Sequence, residues 1–153
     1  MAHRFTIRRA GLEDLETLVG FTLREARETE GEELDPGRVQ RGVRAAFEDD
    51  PPSTYWVAES EAGRVVGSIS VVTEWSNFRG GSYWWIQSLY VVPEHRGTGL
   101  VDRLLDFVAG KAREADALDL RLYVLESNPR AIAAYRRIGF ESAPYTIMKR
   151  DLN

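Results

Sequence analysis

The sequence predicts a mixed α/β (α+β) domain: a mostly antiparallel central sheet, one parallel strand–helix–strand crossover, and helices on both faces. Three observations predict it. Residues 54–92 read as three successive strands, parted by breakers at Ala62-Gly63 and Gly80-Gly81. Residues 97–116 carry one apolar stripe at helical spacing and lie between two strand-like runs, the arrangement that closes as a right-handed parallel crossover. The chain has 153 residues, 43% of them hydrophobic, enough to bury one core without staples. Residues 1–153 are therefore expected to form a single domain.

Each element has a local reason. Residues 4–9 alternate as a first strand, with Phe5 and Ile7 on one face and Arg4, Thr6 and Arg8 on the other. Residues 12–29 place Leu12, Leu15, Leu18, Val19 and Leu23 at helical spacing. A second helix is predicted from Asp35, with Pro36 at its first position, to Glu48, where Asp49 to Pro52 stop it. The next three strands are predicted over 54–60, 64–74 and 82–92. The last of these, YWWIQSLYVV, is apolar on both faces and belongs in the middle of the sheet. In the helix over 97–116, Leu100, Val101, Leu104, Leu105, Val108 and Ala112 share the stripe. A strand over 119–125 alternates Leu120, Leu122 and Val124 with Arg121 and Tyr123. Asn128-Pro129 then opens a helix as cap and first residue, Gly139 closes it, and a final strand is expected over 144–150.

Composition excludes several chemistries. Without cysteine there is no disulfide, cysteine nucleophile, thiolate zinc site or iron–sulfur cluster. Two histidines, His3 and His95, and no G-x-S-x-G elbow argue against a multi-histidine metal site and a serine triad. A net charge of −4 argues against nucleic acid as a partner. No apolar run reaches the length of a membrane span, and the start, MAHRFTIRRA, lacks the apolar stretch of a signal peptide. A cytoplasmic home with no membrane partner is the expectation.

The informative segment is Leu89 to Val101, LYVVPEHRGTGLV. A central strand ends at Pro93, and Arg96-Gly97-Thr98-Gly99 opens a helix. The two glycines leave backbone N–H groups uncovered by side chains, the helix start adds roughly half a positive charge, and Arg96 adds a full one. This suits a phosphate or diphosphate, although two glycines also suit a plain tight turn. A dinucleotide fingerprint needs a third glycine where Asp102 stands, and a Walker A loop needs Gly-Lys-Ser/Thr where Leu100 follows Gly99.

With its downstream partner the pattern becomes specific. LYVVPEHRGTGLVDRLL, followed about 30 residues later by NPRAIAAYRRIGF, resembles the GNAT superfamily of N-acetyltransferases. The resemblance covers residues 83–150; the first 80 residues match only in the order of elements. It implies that acetyl-CoA is the co-substrate, its diphosphate held by Arg96, Gly97, Thr98, Gly99 and Leu100, with no metal. At the last loop position the family has Gly or Ala and this chain has Val101, expected to point into the core. The resemblance further implies a bulge near Tyr90 that splays the parallel strands. The pantetheine arm would pair there with backbone groups of Leu89 and Val91, the Val91 N–H polarising the thioester carbonyl. Asn128 matches the family asparagine near the arm and reads equally as a helix N-cap. Tyr135 matches the usual general acid and shares helical spacing with Ala131 and Ile138, as a core tyrosine would.

The general base has no such match. Many relatives carry an acid in the middle of the central strand, where this chain has Gln87 and Ser88. Glu28 and Glu30 are the first candidates, with Glu74 and Glu126 behind them, acting directly or through water. Residues 24–35 hold six acids and two arginines, and the family layout puts this stretch beside the acceptor site, where it would draw a cationic amine; it reads equally as a solvated helix end. Of the aromatics Trp75, Phe78, Tyr83, Trp84 and Trp85, Trp75 and Phe78 sit nearest a turn, fitting an acceptor pocket or a dimer contact. The implied function is transfer of an acetyl group to a primary amine of a small molecule or peptide, with a homodimer as a candidate assembly. A CoA-binding sensor without catalysis stays open beside it, and a nucleotide-phosphate binder rests on the glycine loop alone.

Overall fold

The computed structural model describes residues 4–153, so His3 lies outside the described residues. They fall into two compact units, one ending at Tyr123 and one beginning at Val124. The first contains β1 (Phe5–Arg9), α1 (Leu15–Glu30), α2 (Pro36–Arg44), β2 (Thr54–Ser60), β3 (Val65–Ser76), β4 (Gly81–Val91), α3 (Leu100–Glu114) and β5 (Leu120–Leu122). The second contains α4 (Pro129–Arg137). The sheet runs β1-β2-β3-β4-β5, antiparallel throughout except for the parallel β4/β5 pair. Among the described residues no helix is long and apolar enough to cross a membrane.

Helices cover both faces of this sheet. On one, Trp56 meets Phe107 of α3 edge-on, with ring centroids 6.1 Å apart. Gly67 lies so close beneath α3 that an added Cβ would sit 3.3 Å from Leu100 and 3.1 Å from the Tyr90 carbonyl. On the other, Phe21 of α1 packs on Tyr90 at 5.0 Å. Leu18, Leu100, Leu104 and Val108 are fully buried and form the centre of the two layers.

Buried charge anchors the start of α1. Asp14 accepts hydrogen bonds from Arg8 at 2.8 and 3.0 Å and from the Gly11 N–H at 2.8 Å, while Arg8 Nε donates to Glu59 at 2.8 Å. The Arg8 bonds hold the Asp14 carboxyl below its usual range, against the opposing pull of burial. Its stabilising effect is therefore present above the unfolded pKa and is lost as pH falls through the folded one. Arg8→Ala is expected to cost about 1–3 kcal/mol at pH 7, because Asp14 then stays buried and partly unpaired. Urea unfolding checks it: the deficit narrows at acid pH, where Asp14 is protonated in both forms.

Three expectations need correction. No strand forms over 144–150; Tyr145, Ile147 and Met148 are exposed there. Alternation is a necessary signal for a strand, but the ladder needs a neighbouring backbone to bond. The helix expected from residue 97 begins at Leu100, since Gly97 and Gly99 take positive φ of 76° and 83°. Val101 is 39% exposed and does not enter the core. One residue along a helix turns the side chain by about 100°, and Leu100, Leu104 and Leu105 already fill the buried face.

Candidate active site

The site is built around an irregularity in β4. Ser70 of β3 pairs with Ser88, but Val71 pairs with Ile86, leaving Gln87 as an extra residue. The bulge is therefore at Gln87 and not near Tyr90 as expected. Gln87, the exposed polar residue of an apolar run, is the one looped out. Since side chains alternate with period two, an extra residue exchanges the two faces. Before it, Trp84 stacks on Trp56 at 6.3 Å on the α3 side. After it, Ser88 and Tyr90 turn to the α1 side, where the Ser88 hydroxyl lies 2.5 Å from that of Ser70.

The same point ends the pairing with β5. Trp84, Trp85 and Ile86 face Leu120, Arg121 and Leu122, and no further pair follows. The Val92 N–H donates to Val66 of β3 at 2.9 Å, so by alternation Leu89 and Val91 direct their backbone groups to the open side. There the Leu89 N–H donates to Glu25 at 3.4 Å, and the Val91 carbonyl accepts from Arg96 Nε at 3.0 Å.

Beyond β4 the chain turns into α3. The Thr98 hydroxyl donates to the His95 carbonyl at 2.6 Å and holds the turn. The first backbone bond reaching back from the helix runs from the Arg103 N–H to Gly99 at 3.1 Å. Among the described residues no group accepts from the N–H groups of Gly97 to Asp102. Nothing lies within 4 Å of where a Cβ would project from Gly97 or Gly99. The result is an open cradle of amides at the positive end of a helix, which fits a diphosphate.

Charges from α1 face this edge. Glu28 takes a hydrogen bond from Arg96 Nη2 at 2.8 Å and one from the Tyr90 hydroxyl at 3.3 Å, with the guanidinium 5.5 Å above the Tyr90 ring. Burial pushes the Glu25 carboxyl up to about 7; the Leu89 N–H pulls the other way, and Glu30 and Glu28 add to the rise. Burial also raises the Tyr55 phenol, which lies among the hydroxyls of Ser88, Ser70 and Thr22.

The profile of the acetyltransferase (GNAT) family matches residues 13–140. The chain belongs to the GNAT acetyltransferase family. The crystal structure of a possible acetyltransferase from Clostridium difficile 630 superposes with a TM-score of 0.92 at 32% identity, over 97% of this chain and 98% of that one. Thialysine N-epsilon-acetyltransferase of Bos taurus is 32% identical over 81 residues, 53% of this chain and 47% of that protein. Streptothricin acetyltransferase of Streptomyces lavendulae is 36% identical over 99 residues, 65% of this chain and 50% of that protein. The matched stretch thus spans about half the length of these curated relatives. GNAT acetyltransferases use acetyl-CoA, whose diphosphate suits the amide cradle found here.

Within this GNAT chain, the structure brings Glu28, Tyr90, Val91 and Arg96 together and sets Leu89 beside Glu25. Glu30 and Glu74 are exposed, and Glu74 accepts from the Trp85 indole at 3.1 Å. Trp75 and Phe78 are exposed at 64% and 100% near the β3–β4 turn. In the second unit Asn128 caps α4, accepting from the Ala131 N–H at 3.2 Å, Glu126 is exposed, and the Tyr135 ring meets Phe140 edge-on at 5.7 Å. Glu25 escaped the sequence reading. Its signal was spacing: Leu18, Phe21 and Glu25 lie on one face of α1, and a carboxylate there is out of place among core residues.

Proposed function

We propose that this chain is an acetyl-CoA-dependent N-acetyltransferase acting on a primary amine. The observation that carries the proposal is the cradle of amides from Gly97 to Asp102 beside a β4 edge left unpaired after Ile86. Arg96, Gly97, Thr98, Gly99, Leu100 and Val101 would hold the diphosphate, Leu89 and Val91 would pair with the amides of the pantetheine arm beside Tyr90, and Asn128 would border it. Acetyl-CoA supplies the activated acyl group as a thioester. The Val91 N–H would donate to the developing oxyanion. By the family resemblance Tyr135 would give its proton to the departing sulfur, and no covalent enzyme intermediate is needed.

The acceptor is a cation at neutral pH. An alkyl amine with a pKa near 10.4 is only about 0.04% neutral at pH 7, so the site must both attract the ammonium and relieve it of a proton. Glu28 and Glu30 contribute negative potential on this side, in keeping with relatives named for acetylation, one of them at an ε-nitrogen. A small molecule or a peptide amine fits this requirement, and a homodimer is the assembly to look for.

Thiol release from acetyl-CoA over a panel of primary amines tests the proposal, with turnover expected for at least one of them. CoA binding without release across the panel would favour a silent CoA-binding module. Ready displacement of CoA by ATP or NAD would count against the cradle's assigned ligand. Arg96→Ala is expected to weaken CoA more than pantetheine, which lacks the diphosphate. Equal weakening, read by calorimetry, would assign Arg96 to the Glu28 contact alone.

A further inference from the structure

We propose that Glu25 of α1 is the general base of this acetyl transfer, receiving the proton that the acceptor's ammonium must lose. The proposal rests on the acetyltransferase reading above and deepens it. Neither residue at the bulge, Gln87 or Ser88, is an acid, so β4 supplies no base there. Glu25 brings a carboxylate to the same station from the opposite helix: its Oε1 lies 3.4 Å from the Leu89 N–H, on the edge that β5 has left. That N–H is two residues from Val91, whose own N–H would face the thioester carbonyl. Base and reaction centre are thus placed on adjacent positions of one strand edge.

The surroundings separate Glu25 from its neighbours. Glu28 has Arg96 as its counter-ion at 2.8 Å, whereas among the described residues no Lys or Arg pairs with Glu25. A half-buried carboxylate without a cation is completed by a cationic acceptor. The Tyr55 phenol of β2 is itself raised by Glu25, whereas the ionisable groups that act on the Glu25 carboxyl are Glu30 and Glu28 from its own helix, with the Leu89 N–H opposing them. Together with burial they set its ionisation at about 7, where a base works efficiently near neutral pH.

The step balances. The ammonium N–H bond breaks and its proton passes to the Glu25 carboxylate. The freed lone pair forms the C–N bond as the C–S bond breaks, and the sulfur takes the Tyr135 proton. The second proton leaving nitrogen restores the phenol, and Glu25 returns its proton to solvent.

Glu25→Gln tests the assignment, because the amide keeps an oxygen for the Leu89 N–H and changes little in volume. With an amine that the wild-type protein acetylates, kcat/KM is expected to fall by ~10² or more at pH 7, with CoA affinity unchanged. The wild-type profile should show an acidic limb centred near pH 7, and that limb should vanish in Glu25→Gln and persist, at lower rate, in Glu25→Asp. A limb that survives in Glu25→Gln overturns the assignment alone, as does activity lost only in proportion to CoA affinity. A wild-type protein that binds CoA but acetylates no amine overturns the acetyltransferase reading and this assignment with it.

Discussion

Tyr135→Phe is expected to lower turnover by ~10²–10⁴ and to leave CoA affinity unchanged, the span for removal of a general acid, if Tyr135 has the role proposed above. The departing group is an alkyl thiolate, whose thiol pKa should be near the free cysteine value of about 8.5. A phenol in that role would hold its proton until negative charge gathers on sulfur and then give it up. Phenylalanine keeps the aromatic ring that meets Phe140 edge-on at 5.7 Å, so α4 retains that contact. Thiol release under saturating acetyl-CoA and amine, with calorimetric CoA binding alongside, measures both halves. Unchanged turnover would leave Tyr135 with a packing role and move the proton donor to solvent.

The second large effect runs in the opposite direction on stability. Glu25→Gln is expected to make the folded protein more stable at pH 8 while making it a poorer enzyme. Folded, the Glu25 carboxyl ionises at about 7. In the unfolded chain it should ionise near 4.3. The folded state holds this proton more tightly, so its stabilising effect is complete below the unfolded pKa, shrinks as pH climbs, and is gone above the folded pKa. Glutamine never ionises and escapes the loss. The gain at pH 8 should be roughly 1–3 kcal/mol, discounted from the full shift because the side chain keeps some solvent contact. Near pH 4 the two proteins should unfold at similar urea concentrations. The same difference at both pH values would mean that Glu25 titrates as an ordinary surface acid. A residue whose replacement stabilises the fold and removes activity is the trade expected of a site residue.

How much of the site was legible follows from where its information lies. The glycine loop, the N-cap at Asn128 and the breakers at Gly63 and Gly80 are written in a few consecutive residues, because a positive φ or a capping oxygen is a local requirement. Glu25 was partly legible, as a charged residue in an apolar helical stripe. Its meeting with Leu89 was not, since 64 residues separate them. The Arg96 side chain, assigned from its motif to the diphosphate, is held by Glu28 across 68 residues.

Local chemistry alone therefore determined the strand and helix order up to α4, the antiparallel hairpins, the crossover helix and its open glycine mouth, because propensity, periodicity and turn geometry act between near neighbours. Tertiary structure alone decided that Gln87 and not Tyr90 marks the bulge, that Val101 faces outward, that residues 144–150 form no strand, and that Glu25 is half-buried against Leu89 with no cationic partner among the described residues. Those outcomes depend on which backbone finds a hydrogen-bonding partner and which charge is left unpaired once the layers close. Such choices are settled only between segments far apart in the chain.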